Sequence, residues 1–502
     1  SGTQFNEYDD VSQSGSVGNN YTWENTLSWN KAFGDHHVDA LLGTSMEGTR
    51  WGMSVNGSRQ QTTFGTWESA NLSSSSSDIN ADMVSIGGGN TIPYNDLLSF
   101  FGRANYNYKD TYLFTAILRA DGSKNFASGH RWGYFPSASA GVILTNMDWM
   151  DWSKGTLDYF KIRASWGQNG NCSISNFQYA SQVSMNARYD FSNGLSVSPG
   201  AYPSRIPNPD LKWETTETTN IGIDYGFLEG RIYGSVDLYS RKTFDLLNYT
   251  PVAALANLSN YLNANIGDLE NKGFEFEINA VPVNTKDWNW TVGFNASYNK
   301  VKITKLTAND DAPGYYGVET GGIAGGTGNN IQVHQTGYAP NSFFVYEQVY
   351  DTDGNPLEGV YVDRNSDGKI DTNDKYCYKK AAPDWTLGFN TTLTYRNWTL
   401  AMSAHSNIGN YVYNNVMSNG DLLTDLSTNN FINNRYHTAE QHNQKSAAQY
   451  WSDMYVTTAS FLKIDNITLG YDFKFGPKSS PMNLNAFVTV QNVACLSGYE
   501  GI

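Results

Sequence analysis

From Trp288 to Asn299 the chain reads WNWTVGFNASYN. Its even positions are Trp288, Trp290, Val292, Phe294, Ala296 and Tyr298, and its odd positions are Asn289, Thr291, Gly293, Asn295, Ser297 and Asn299. One face is wholly apolar with aromatic ends, and the other is small, polar and uncharged. Alternation with a period of two is the mark of a strand between two different environments. The length fits a tilted strand crossing a membrane, roughly 9–11 residues. Aromatic residues at both ends fit the two interfacial girdles of an outer-membrane barrel.

The bulk composition agrees with that reading. Only 39% of the 502 residues are hydrophobic and 16% are charged, yet aromatics reach 14%, with 33 Tyr and 14 Trp. A soluble protein usually carries charge on nearer a quarter of its residues. No run of about 18 apolar residues exists, so no transmembrane helix is expected. Low charge with abundant Asn, Ser, Thr, Gly, Tyr and Trp suits a barrel with a polar lumen and a greasy outside. The net charge of −15 argues against nucleic-acid binding. Cys172, Cys377 and Cys495 are too few and too scattered for a disulfide framework or a metal site.

Short and long connections alternate along the chain. Lys31–His36, Tyr108–Tyr112, Phe227–Arg231, Val283–Asp287, Tyr395–Trp398 and Phe475–Met482 read as short hairpin turns, with a somewhat longer one at Asn146–Gly155. Between them lie polar excursions near 51–94, 122–130, 169–210, 244–262, 302–381 and 409–459. This is the layout of short periplasmic turns and long extracellular loops. It leaves about fourteen strands, near 20–33, 36–50, 95–108, 111–121, 131–143, 158–168, 211–227, 231–243, 263–282, 288–301, 382–396, 397–408, 460–475 and 483–492. The strands near 111–121 and 231–243 alternate less regularly, so their facing is open. The expected fold is all-β: a transmembrane antiparallel β-barrel occupying residues 1–502 as one domain. In lipid every backbone polar group must be paired, so such a sheet closes on itself.

Several segments carry a family resemblance. They are RADGSKNFASGHRWGYFPSASAG (119–141), KIRASWGQNGN (161–171), NPDLKWETTETTNIGIDYGFLEGRIYGSVDLYSRKTFDLL (208–247), NIGDLENKGFEFEI (265–278), GVYVDRNSDGKID (359–371), APDWTLGFNTTLTYRNW (382–398) and ASFLKIDNITLGY (459–471). Together they resemble the SusC/RagA family of TonB-dependent outer-membrane transporters of Bacteroidetes. The resemblance implies a 22-stranded barrel, an N-terminal plug, a SusD-like surface lipoprotein as a lid, and force from TonB–ExbB–ExbD. On that scheme the fourteen strands are the eighth to twenty-first. The plug, the TonB-contacting segment and the first strands are then expected upstream, and the last strand downstream.

One motif stands apart. Asp363, Asn365, Asp367, Lys369, Asp371 and Asp374 have the spacing of a calcium loop, with Gly368 at its sixth position and Lys369 contributing a carbonyl. Position twelve is Asp374 rather than Glu, and Ile370 sits where such loops bury an apolar residue. The competing reading is an Asx-rich turn closed by its own side-chain to backbone bonds. An occupied site would hold structural Ca2+ and stiffen a loop.

Nothing points to catalysis. The seven His are scattered, and there is no HExxH, GxSxG or Gly-rich phosphate loop. Trp51, Trp67, Tyr315 and Tyr316 read as loop aromatics that either stack on substrate or pack the loops. The stretch 321–330 reads as a flexible Gly-rich segment. The expected function is energy-dependent import of oligosaccharides or oligopeptides across the bacterial outer membrane. The alternatives are a passive porin or barrel adhesin, and a secreted β-sandwich binding protein. Substrate contacts are not legible.

Overall fold

Fourteen alternating segments become fourteen strands in one antiparallel sheet. They are β1 Asp9–Phe33, β2 His36–Thr62, β3 Leu97–Tyr108, β4 Tyr112–Ser123, β5 Trp132–Ile143, β6 Leu157–Asn171 and β7 Glu214–Phe227. The series continues with β8 Ile232–Phe244, β9 Asp268–Asn284, β10 Trp288–Lys305, β11 Trp385–Tyr395, β12 Trp398–Ile408, β13 Phe461–Phe475 and β14 Met482–Ser497. Each strand pairs with its sequence neighbour, and a fifteenth strand, Val84–Thr91, pairs beside the far end of β2. The path is open, with β1 and β14 as its edges among the described residues. The structure is a computed structural model describing residues 9–62, 72, 84–91, 96–190, 197–251, 261–307, 310, 315–323, 328–421, 436–442, 444–445, 449–476 and 482–499. Among these, no helix is long and apolar enough to cross a membrane.

The register sorts the two faces. Trp290, Val292 and Phe294 of β10 stand opposite Leu393, Thr391 and Phe389 of β11. The polar row is separate: a Cβ on Gly293 would meet the Asn390 and Asn279 amides, and one on Gly388 would meet Asn295. Thr391 puts a hydroxyl on the apolar face, where the Trp290 indole donates to it at 2.8 Å and the hydroxyl donates to the Thr291 carbonyl. That polar atom is therefore satisfied inside the greasy band.

Near the short turns Trp288, Tyr395, Trp398 and Tyr471 follow one another across β10–β13. Trp288 and Tyr395 have ring centroids 4.3 Å apart, and Trp398 and Tyr471 4.7 Å. At the other rim Tyr298 meets Trp385 at 5.1 Å. Ten residues separate the rims on β10, roughly 34 Å of strand, which a ~40° tilt reduces to about the 25 Å apolar band of such barrels.

The short turns gather at one end and the long excursions at the other. Neighbouring turns are tied together: Asp287 pairs with Arg396 at 3.3 Å, and the Arg396 N–H donates to the Asp287 carbonyl. In the Tyr108–Tyr112 turn both Lys109 and Asp110 are left-handed, at φ 54° and 50°, without glycine. The Asn107 amide donates to Asp110 and steadies that conformation. The longer turn after β5 winds into two 3₁₀ segments, Leu144–Asn146 and Asp148–Ser153. Met150 and Ser153 face inward while Trp149 and Trp152 are exposed.

The structure corrects four sequence expectations. β1 and β2 run 25 and 27 residues, so the excursion expected from residue 51 is strand to Thr62, and Trp51 is a strand residue. The expected strand 263–282 breaks at Gly267. Residues 261–265 pair instead with Leu247–Pro251 as a separate hairpin. Part of the Gly-rich stretch is ordered, since Val318–Gly322 pairs with Asn330–His334. The less regular strand near 111–121 takes a definite facing from its contacts: Phe114 and Leu118 of β4 are exposed on one face, while Thr115 bonds Asn105 on the other, where Ile117 also sits.

Candidate functional site

The lumen wall carries a charged network on β6–β8, beside separate pairs such as Arg103 with Asp39 and His405 with Asp465. Arg163 of β6, Gly222 of β7 and Asp237 of β8 lie in one row. A Cβ on Gly222 would stand 2.7 Å from the Arg163 guanidinium carbon and 2.6 Å from Asp237, so only glycine leaves room for the pair. Arg163 donates to Asp237 at 2.7 Å, to Asp224 at 3.0 Å and to Asn220 at 3.3 Å, and Lys161 reaches Asp224 at 3.4 Å. Across the adjoining strands this face continues as Glu275, Glu277, Asn279, Asn295 and Asn390. Such a wall offers amide and carboxylate partners to a hydroxyl- or amide-rich solute.

At the extracellular end of β5–β7 a buried cluster joins Phe126, Phe135, Leu211 and Trp213. The Trp213 indole donates to the Arg131 carbonyl at 2.9 Å, and Phe135 meets its ring edge-on at 5.4 Å. These residues come from SKNFAS, RWGYFP and NPDLKW, so the segments that carry the family resemblance do packing work here.

The excursions 302–381 and 409–459 form one packed cap. Four short strands, Val318–Gly322, Asn330–His334, Ser342–Val345 and Tyr376–Lys380, make a sheet. A hairpin, Tyr411–Tyr413 with Val456–Thr458, and the helix Asn415–Gly420 lie in the second excursion. Ile331, Phe343, Val345, Tyr413, Met417, Tyr455 and Val456 share its core. Lys375 lies 4.8 Å from the Trp451 ring centre and 5.4 Å from that of Tyr346, and burial pushes its ammonium below the usual range. Burial likewise pushes the Asp453 carboxyl up, while it accepts from the Gln348 N–H at 3.1 Å and the Tyr376 hydroxyl at 2.9 Å. Tyr316 stacks on Phe344 at 5.0 Å, so it packs the cap. Trp67 lies outside the described residues.

The six candidate calcium donors lie in an ordered loop of this cap. Asp363 accepts from the Gly368 N–H at 2.8 Å, Asn365 from Asp367 at 3.0 Å, and Asp367 from Lys369 at 2.9 Å. Asp371 caps the 3₁₀ turn Thr372–Asp374. Asp374 is buried, and the N–H groups of Asp371, Arg364 and Asn365 hold its carboxyl below the ordinary range. The carboxylates thus bond their own backbone, and no three His, Cys, Asp or Glu converge as a metal-holding group among the described residues. Ile370 is 44% exposed instead of buried, because nothing packs over it. Cys172, Cys377 and Cys495 are unpaired, and burial pushes the Cys377 thiol up to about 12.

The sequence reading missed Arg163, Asp224, Asp237 and the cap core. A signal for the first existed, since lone charges at lumen parity in adjacent strands imply pairing.

Comparison with known proteins follows the same line. The family described as TonB dependent receptor-like, beta-barrel matches residues 1–493. The TonB-dependent receptor SusC of Bacteroides thetaiotaomicron is 40% identical over 81% of this chain and 41% of its own length. The TonB-dependent receptor P3 of Formosa agariphila is 29% identical over 95% of this chain and 48% of its own. The chain therefore spans about half the length of the curated relatives it matches. Among solved structures, the RagAB peptide transporter superposes with a TM-score of 0.76 at 21% identity, covering 98% of this chain and 53% of that one.

Proposed function

Because the chain belongs to the TonB-dependent receptor family of outer-membrane β-barrels, we propose that it forms wall and extracellular cap of an energy-dependent importer of oligosaccharides or oligopeptides. The carrying observation is one sheet with a greasy outer belt and a lumen face of Asn, Asp and Glu, roofed by loops packed as a unit. Such a lumen solvates a polar oligomer, and a packed cap gives a lid something rigid to close upon. A SusD-like lipoprotein as that lid, and TonB–ExbB–ExbD as the source of force, belong to the same proposal. The likeness to SusC and to the RagAB peptide transporter supports them. The reading also requires a closed wall of about 22 strands and a plug.

Uptake of labelled oligosaccharides and oligopeptides by cells with and without the gene, and with and without TonB, tests this. One class should lose most of its uptake in both deletions. Uptake that persists without TonB would make the barrel a passive pore.

Calcium in the 363–374 loop is a separate proposal, resting on donor order. Each carboxylate there keeps lone pairs beyond those its N–H partners use. Loops of this kind outside cells bind at roughly 10⁻⁴–10⁻³ M. Millimolar calcium should therefore slow proteolysis within 355–380, and EGTA should restore it. Cleavage indifferent to both would leave a self-closed turn.

A further inference from the structure

The outer wall changes chemistry abruptly just above its extracellular rim. The rim row is Ile221, Leu238, Phe274, Tyr298 and Trp385 across β7–β11. One step up the same face the row reads Thr219, Ser240, Lys272 and Lys300. The next step reads Glu217, Lys242, Glu270 and Lys302. Lys300 and Lys302 also line a cavity of about 420 Å³ between β10 and the cap, with Lys379, Lys380, Tyr338 and Tyr411. Two of the three carboxylates here are already paired, Glu270 with Lys272 and Asp384 with Lys380, each at 2.8 Å. Six lysines thus face three carboxylates, in a chain whose net charge is −15. Among the described residues, Lys242, Lys300 and Lys302 form no direct ion pair, and Lys242 and Lys302 share with Lys272 the field of the single carboxylate Glu270.

We propose that this patch binds the phosphate groups of an anionic lipid in the outer leaflet. Its height carries the assignment. Two residues of strand rise about 6.8 Å, so at ~40° tilt the lysine rows lie roughly 5 and 10 Å beyond the aromatic rim. The first row therefore lies within the headgroup layer, which adds roughly 5–7 Å to each side of the hydrocarbon, and the second stands just above it, where a phosphate carried at the top of a headgroup is met. Lysine stems lie along the apolar wall while their ammonium groups stay at the polar boundary. The patch faces away from the lumen, so a solute in transit does not meet it. A ligand that satisfies both rows has acyl chains against Leu238 and Phe274 and phosphate against the lysines.

The test uses the complete transporter in mild detergent, its barrel verified by heat-modifiable gel migration. Native mass spectrometry titrates it with bis-phosphorylated lipid A and, separately, with phosphatidylethanolamine. The parent should retain lipid A in preference. Each surface lysine strengthens such binding up to about fivefold. The Lys300→Gln/Lys302→Gln pair should therefore weaken it roughly tenfold, and the quartet adding Lys242→Gln and Lys272→Gln roughly a hundredfold. An all-Arg quartet keeps the charge and should keep the lipid. Folded Gln variants that hold lipid A as the parent does would overturn the proposal. So would displacement by millimolar inorganic phosphate, which would mark a free-phosphate site, or equal retention of phosphatidylethanolamine.

Discussion

Lysine at Phe294 is expected to cost about 2–4 kcal/mol of barrel stability, whereas lysine one residue on, at Asn295, is expected to cost far less. Phe294 lies between Trp288 at one rim and Tyr298 at the other, opposite Phe389 and 6.4 Å from the Phe276 ring. That places it near mid-membrane, where no water or carboxylate can meet an ammonium and the stem is too short to reach either interface. Asn295 has the opposite parity and lies over Gly388 on the polar face. Folded fraction by heat-modifiable migration, with urea midpoints in detergent, separates the two variants. Equal losses at 294 and 295 would defeat the assignment of faces.

Strands were legible wherever lipid imposed two environments on one segment. β10 begins at Trp288, as its alternation requires, and β11 and β12 meet at the Tyr395–Trp398 turn. Legibility ended where lipid ends. Upstream of Asn20, β1 is mostly Gly, Ser and Asn and left little period to read, whereas β2 still alternates at Trp51, Met53 and Val55 beyond Thr49, a signal that the reading of a loop from residue 51 passed over. The cap was illegible for another reason. Ser342–Val345 is buried at all four positions, a short apolar run that does not alternate. Its surroundings come from distant sequence, as the bridge between Tyr346 and Ser452 shows. The 363–374 loop was half legible. Donor spacing can be counted along a chain, but the exposure of Ile370 and the burial of Asp374 depend on what the cap places around them.

Removing the lumen guanidinium is the second large effect. Arg163→Met should cost about 2–3 kcal/mol, between the 3–5 of a broken buried pair and the 0–1 of a surface pair. The intermediate value follows from exposure, since Arg163 retains 31% of its side-chain surface while Asp237 retains 11%. The two acids should not suffer equally. Asp224 keeps Lys161 at 3.4 Å, so a positive partner survives. Asp237 has no other cation in reach among the described residues, and one of its carboxylate oxygens is already buried without a hydrogen bond. Arg163→Met/Asp237→Asn should therefore recover most of the lost stability, and Arg163→Met/Asp224→Asn little of it. Arg163→Lys should recover only part, because one ammonium cannot span both acids as the planar fork does. Urea midpoints of the four variants in detergent decide the matter. Equal rescue by the two Asn substitutions would mean that the acids share one solvated site, and a loss under 1 kcal/mol for Arg163→Met would mean that the lumen screens the network like an open surface.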